Sequence, residues 1–210
     1  MRQAFFCSFA RTKPPSRPLF RQIMSASAEE SRSEMFDVCD EHNNVIGQEK
    51  RAVVHAKGLY HRAVNVLLFR SDGHLLLQRR AADKDVCPNR WDLSVGEHLK
   101  PGEAYADGAR RGLKEELGIS GAEVRQVRPV HLNSFSYPEA GVTDNEFNEL
   151  YETVYDGAVE PDGVEVAAVR FAPLGDVLRE MESDPDAFTP WCRQELTYRA
   201  GLDPAVGTSE

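Results

Sequence analysis

Gly96-Glu97-His98-Leu99-Lys100-Pro101-Gly102-Glu103, and beyond it Arg111-Gly112-Leu113-Lys114-Glu115-Glu116-Leu117-Gly118-Ile119, is the stretch that decides the fold. Ala104–Leu117 reads as the clearest helix of the chain. Ala109, Leu113 and Leu117 recur at i, i+4 and i+8 as one apolar stripe, and Gly118 is placed to end it. Arg111 and Glu115 lie together away from that stripe, one turn apart, where they pair. Glu116 falls at the edge of the buried face. Glu103 precedes the helix, with its carboxylate in reach of the first turns. Glu103, Glu115 and Glu116 thus offer oxygen donors to a hard divalent ion, magnesium first and manganese as an alternative. Such an ion bridges to substrate phosphates and steadies charge on phosphoryl oxygens. Charge runs usually mark solvated faces. The joint spacing Glu103-x7-Arg111 with Glu115-Glu116-x-Gly118 is much harder to obtain by chance.

Outward from this stretch the chain alternates strand and helix signals. Glu34–Ile46 reads as a hairpin turning at Asn43-Asn44. Ala63–Phe69 is a buried strand, and Ser71-Asp72-Gly73 turns it into Leu75–Leu77. Trp91–Val95 is a short strand, with further strands expected near Val124–Val130, Leu150–Tyr155 and Val164–Phe171. Helices are expected over Leu174–Met181, opened by Pro173, and from after Pro190 through Arg193–Tyr198. This mixed order predicts the α/β class, an α/β/α sandwich around a mixed β-sheet. The loop His131–Asn145 and the Pro190–Tyr198 region are expected to read the organic part of a substrate.

The chain has 210 residues and a formal net charge of −9. An acidic surface repels phosphate backbones, which argues against a nucleic-acid polymer as partner. It leaves open a small phosphorylated ligand held through cations. No apolar run reaches the ~20 residues of a membrane span. Cys7, Cys39, Cys87 and Cys192 show no C-x-x-C spacing, so no zinc knuckle or dithiol motif is present, and they suit a reducing compartment. The charge is uneven. Residues 1–28 hold five basic residues and no acidic one, which leaves 20 basic and 34 acidic residues in 29–210, a net of −14. Residues 1–30 therefore read as a mitochondrial or plastid transit peptide, or as a disordered tail. Translation from Met24 would give a cytoplasmic form. A globular domain is expected over 35–200 and a loose tail over 201–210.

The central spacing resembles the Nudix box, Gly-x5-Glu-x7-Arg-Glu-U-x-Glu-Glu-x-Gly-U with U bulky and apolar. Glu103, Arg111, Leu113, Glu115, Glu116, Gly118 and Ile119 match it. Two positions depart. The box's first Gly falls on Glu97, and the Glu after the Arg falls on Gly112. A mid-helix Gly costs about 1 kcal/mol relative to Ala, and the missing carboxylate implies a metal site with fewer ions or with ligands drawn from elsewhere.

Within the superfamily the chain is similar to the isopentenyl-diphosphate isomerase branch over roughly residues 35–200. His61-Arg62-Ala63, Leu75–Arg80, Pro88, Trp91, Gly102-Glu103 and Phe188-Thr189-Pro190-Trp191 carry this resemblance. Trp91, Ser94 and His98 align with an isomerase segment whose catalytic Cys position holds Gly96 here. Gly96 has no proton to give or take, which disfavours isomerisation of the usual kind. The resemblance implies metal contacts from His61 and His98, with His55 approximating a third histidine one residue out of spacing. The isomerase's two late acids fall on Phe147 and Glu149, and Glu146 and Glu152 read as solvated.

The resemblance thus implies a magnesium- or manganese-dependent hydrolase that cleaves a diphosphate in a small metabolite. Glu103, Glu115, Glu116, His61 and His98 would hold metal. Arg111 would orient the carboxylates, Glu149 would accept the proton of the attacking water, and Arg79 and Arg80 would clamp the diphosphate. The alternatives are an isomerase-like enzyme and a diphosphate-binding protein with weakened catalysis.

Overall fold

The computed structural model describes residues 33–202. The address expected in 1–30 and most of the 201–210 tail lie outside the described residues. Among the described residues nine strands and four α-helices follow in the order β1 (Met35–Cys39), β2 (Val45–Lys50), α1 (Arg51–Lys57), β3 (Tyr60–Phe69), β4 (His74–Arg80), β5 (Trp91–Asp92), β6 (Val95–His98), α2 (Tyr105–Leu117), β7 (Arg125–Tyr137), β8 (Val142–Val154), β9 (Val166–Pro173), α3 (Leu174–Ser183) and α4 (Pro190–Gly201).

The expected α/β/α sandwich is present, and its two cores lie on opposite faces of the sheet. On one face Val64, Val66, Leu68 and Leu76 pack against Ala109, Leu113 and Leu117, the apolar stripe of α2. On the other face Leu67, Leu75, Leu77 and Leu150 meet Leu174, Val177 and Met181 of α3 and Cys192 and Leu196 of α4. Strand alternation produces this division, since odd and even residues of β3 point to opposite sides. Gly118 ends α2 with φ 71°, as its position in the pattern predicted.

The sheet is mixed. β3 runs parallel to β8 over ten residue pairs and antiparallel to β6, while β7 and β8 form a long hairpin. β3 and β4 share one pair, Phe69 with Leu75, and then diverge, β4 continuing with β5 and β9. A buried serine holds this fork together. Ser94 Oγ accepts from the Leu68 N–H at 2.7 Å and donates to the Leu76 carbonyl at 2.6 Å. Beyond the fork the strands leave room for a cavity of about 700 Å³.

Three expectations need correction. His131–Asn145 is not a loop: β7 and β8 are thirteen residues each and turn at Pro138–Ala140. The polar alternation of His131–Tyr137 is that of a strand with one wet face, and a loop reading overlooks it. Arg51–Lys57 forms a helix where none was expected, closed by Gly58 in the left-handed conformation, φ 61°. The last helix extends past Tyr198 to Gly201. Among the described residues no helix is long and apolar enough to cross a membrane.

Candidate functional site

Arg111 organises the box. Its Nε and Nη2 donate to the two carboxylate oxygens of Glu103, each at 2.8 Å, a bidentate pair. Nη2 also donates to the His98 carbonyl at 2.8 Å, and Nη1 lies 2.8 Å from Glu97 Oε2 and 3.1 Å from Glu115 Oε2. Four N–H groups of the guanidinium are hydrogen-bonded, and Glu97 adds an ion pair. Glu103 Oε2 further accepts from the Lys100 N–H at 2.9 Å. Burial raises the proton affinity of Glu103, but Arg111 and the Lys100 N–H outweigh it and hold the carboxyl below its ordinary range. Both oxygens of Glu103 are therefore committed to positioning Arg111. Glu115 is half exposed and shared between Arg111 and Lys100.

Glu116 is different. It is 5% exposed, and burial, then the charge of Glu97, push its proton affinity well up. Gln78 on β4 donates a side-chain hydrogen bond to it, so its carboxylate bridges from helix to strand across the fork. Glu97 on β6 is pushed up to about 7, by burial against the opposing pull of Arg111.

A second cluster lies on the other side of β3 and β6. His61, His98 and the β8 residues Asp144 and Glu146 share this face because His61 pairs with Glu146 and Ala63 with both His98 and Asn148. The turn at Gly58 brings His55 of α1 back to them. There the left-handed backbone suits glycine, and a Cβ would meet Thr143 Cγ2 at 3.0 Å. His61 Nδ1 donates to the Leu59 carbonyl at 3.2 Å, which leaves the Nε2 lone pair facing inward. His61 Nε2 stands 3.4 Å and His55 Nε2 3.7 Å from Asp144 Oδ1, and His98 Nε2 stands 3.2 Å from Glu146 Oε1.

These atoms fit a cation. The Nε2 atoms of His55, His61 and His98 and Oδ1 of Asp144 are buried and make no hydrogen bond. One donor atom from each residue lies within 4.8 Å of all the others. Orphaned buried polar atoms are costly unless something binds them. Burial drives His55 down to about 2, helped by His98 and His61, and depresses His61 and His98 as well. All three are neutral imidazoles, the form that ligates metals.

The predicted residues divide accordingly. His98, Glu115, Glu116, Arg111 and Arg80 line one cavity, and His61, fully buried, stands behind its wall beside His98. Arg80 is itself tied to Asp92 Oδ2 at 3.1 Å and to the Val86 carbonyl. Arg79 turns outward and donates to the Asn89 carbonyl. Glu149 is not in the site. It shares the α2 face of β8 with Tyr151, whose hydroxyl donates to Glu149 Oε2 at 2.7 Å. Phe147 faces the same way. The late acids are Asp144 and Glu146, three residues before the expected positions, and Glu146, with its side chain 15% exposed, is largely enclosed rather than solvated. The signal for them was an Asp-x-Glu alternation, whose phase is fixed by its register against His61.

Gly112 is also revalued. A Cβ there would lie 2.5 Å from Val95 Cγ1, so β6 and α2 approach as closely as they do because this position carries no side chain. A glutamate placed at 112 would collide with the strand, and restoring the box residue alone would not restore a site.

The NUDIX domain model matches residues 59–192. The chain belongs to the Nudix family. Among curated relatives, a Streptomyces coelicolor protein named as an uncharacterized Nudix hydrolase is 37% identical over 180 residues, covering 84% of this chain and 97% of its own. An isopentenyl-diphosphate Delta-isomerase from Burkholderia multivorans is 37% identical over 164 residues, 78% of this chain and 90% of that one. A Deinococcus radiodurans crystal structure superposes with a TM-score of 0.63 at 24% identity, covering 79% of this chain and 98% of that chain. The last comparison speaks to the fold. Together they make this Nudix chain a member of an enzyme family with isomerase-like relatives.

Proposed function

We propose that this Nudix enzyme is a divalent-cation-dependent hydrolase of a diphosphate linkage in a small phosphorylated metabolite, a nucleoside diphosphate derivative or an organic diphosphate such as a prenyl one. The observation that carries the reading is the convergence of three imidazole nitrogens and a carboxylate oxygen, buried and without a hydrogen bond, where His55, His98 and Asp144 line the cavity that also holds Glu116 and Glu97. A cation held by His55, His61, His98 and Asp144, manganese before magnesium because three of the four donors are imidazole nitrogens, would stabilise charge on phosphoryl oxygens. Around it the protein's own groups have separate tasks. Arg111 fixes Glu97, Glu103 and Glu115 relative to one another. Glu146 takes the place first given to Glu149, reaching into the cavity from β8 to receive the proton of the attacking water. Arg80, held by Asp92, presents a guanidinium edge to the diphosphate.

Gly96 separates this reading from isomerisation. It lies on the cavity wall, where the isomerase pattern needs a thiol, and a Cβ there would find only Asn65 Oδ1, at 3.5 Å. The test is a screen of nucleoside, sugar and prenyl diphosphates with magnesium and with manganese. Release of phosphate or monophosphate is expected, reduced about a hundredfold or more by Glu116→Gln. No release from any class would overturn the reading. Conversion of isopentenyl to dimethylallyl diphosphate by the unaltered protein would replace it with the isomerase.

A further inference from the structure

The face of β3 that carries the histidine cluster continues past it. His61, Ala63, Asn65 and Leu67 share that face, and β6 sets His98 opposite Ala63 and Gly96 opposite Asn65. Leu67 belongs to the core under α3 and α4, and so does Leu150, the β8 partner of Asn65. An apolar residue at 65 would simply extend that core. Asn65 stands there instead, on the cavity wall, 3% exposed and with its Nδ2 unpartnered among the described residues. We propose that Asn65 is a specificity residue of the hydrolase site. Its amide donates to an oxygen of the substrate's organic group, so that the site takes a diphosphate whose organic group carries hydroxyls, of the sugar or nucleoside class, and rejects a hydrocarbon one.

Three features of this face support the assignment. The first is the space beside the amide. Gly96 has no side chain, and a Cβ there would meet only Asn65 Oδ1, at 3.5 Å, so the cavity reaches the amide over the glycine. Ala63, also on the wall, is nearly as small. The second is position. His98 and Gly96 are two residues apart on one strand, which is about 7 Å. A phosphoryl group at the histidine cluster would bring the start of the organic group to Asn65. The third is a complementary acceptor. Asn148 on β8 pairs with Ala63, which makes it the diagonal neighbour of Asn65 on the same face. It is fully buried, its Nδ2 donates to Glu146 Oε2 at 3.3 Å, and its Oδ1 has no hydrogen-bond partner among the described residues. A ring with neighbouring hydroxyls supplies an acceptor to one amide and a donor to the other. A prenyl chain supplies neither and leaves a buried donor unpaired, a penalty that discriminates more sharply than the loss of apolar contact.

This role for Asn65 rests on the hydrolase reading above, and binding is measured beside turnover so that the two can fail separately. Calorimetry on the full chain with manganese compares ADP-ribose and UDP-glucose with geranyl diphosphate, and inorganic diphosphate is the reference without an organic group. The sugar-bearing ligands are expected to bind the unaltered chain at least about a hundredfold tighter than geranyl diphosphate. Asn65→Leu, similar in size and apolar, should narrow that gap to less than about tenfold, and kcat/KM on the same compounds should follow. Gly96→Val tests the same point from the other strand. Its side chain has room, suits a strand and covers the amide, so the gap should narrow there too. It decides the matter if circular dichroism shows Asn65→Leu unfolded. An unchanged gap in a folded variant overturns the proposal, even if diphosphates are hydrolysed. So does geranyl diphosphate binding the unaltered chain as tightly as the sugar-bearing ligands, or those ligands failing to bind. An Asn65-dependent preference for the sugar-bearing ligands without turnover would uphold the proposal and remove the hydrolase reading.

Discussion

Replacing Gly112 by alanine tests the packing on which the box depends. Helix propensity alone predicts a gain of about 1 kcal/mol for this change in a helix interior. The surroundings predict the opposite. The new Cβ would lie 2.5 Å from Val95 Cγ1, against an ordinary carbon contact of about 3.5–4.0 Å. Val95 is fully buried between α2 and β3 and has no free volume to turn into. Either β6 or α2 must retreat by about 1 Å, and overpacking of a filled core costs about 1–3 kcal/mol. A gap this short belongs at the upper end, so after the propensity gain a net loss of about 2 kcal/mol is expected. For a domain of this size that lowers Tm by about 4–8 °C, read by calorimetry. Val95→Ala alone should cost a similar amount through the void it leaves. The two should not add, because each relieves the other, and a coupling of about 2 kcal/mol is expected in the double-mutant cycle. A Gly112→Ala variant that melts higher, or a double variant that is simply additive, would refute this account of the glycine.

Three other outcomes are expected. His61→Ala removes an inward-facing nitrogen from the histidine cluster and should lower manganese affinity about a hundredfold by calorimetry; equal affinity would mean the cluster is only packing. Arg111→Lys replaces a five-donor fork by a point charge, and should cost about 2–3 kcal/mol by urea unfolding while leaving Glu97 and Glu115 less well held; a loss under about 0.5 kcal/mol, the level of an ordinary surface substitution, would contradict the described network. The cation-free protein should also carry a pH-dependent contribution from Glu97. It sits at about 7 when folded, against 4.5 for the free side chain, so folding favours its protonated form and that contribution is lost as pH rises from about 5 to 7.5. The three histidines, lowered by burial, act in the opposite sense over the same range, so the contribution is read as the difference between the unaltered chain and Glu97→Gln. Relative to Glu97→Gln, the Tm of the unaltered chain should fall as pH rises from about 5 to 7.5, and a constant difference would count against the buried carboxyl.

What could be read from the sequence was what local periodicity encodes. The stripe Ala109, Leu113, Leu117, the cap at Gly118 and the Arg111–Glu115 pair are all set within one helix, and all stand as read. Arrangements between elements were less accessible. Glu146 and Glu149 look alike in Asn145–Tyr151, and only the pairing of His61 with Glu146 sends one into the cavity and the other toward Tyr151. A slip of one residue exchanges the faces of a strand. His55 rides on a seven-residue helix too short to announce itself by pattern, and its approach depends on one left-handed glycine. The double departure at Glu97 and Gly112 looked like two losses in the linear chain. Fifteen residues apart in sequence, they are neighbours across the strand–helix contact, which no spacing rule within one element can show.

The occupied guanidinium of Arg111 also bears on motion. It fastens the strand end at Glu97 and His98, the loop at Glu103 and the helix at Glu115 to one rigid plane. Opening any of these pieces alone would strand a buried charge, so local fluctuation is discouraged and they should open as one cooperative unit. In hydrogen exchange, the amides of β6, of the Lys100–Glu103 turn and of the middle of α2 would then report a common opening energy rather than a gradient from loop to helix. The wall of the cavity formed by the box behaves as a single plate, and adjustment to ligands of different shape falls to the strand and hairpin on the opposite side.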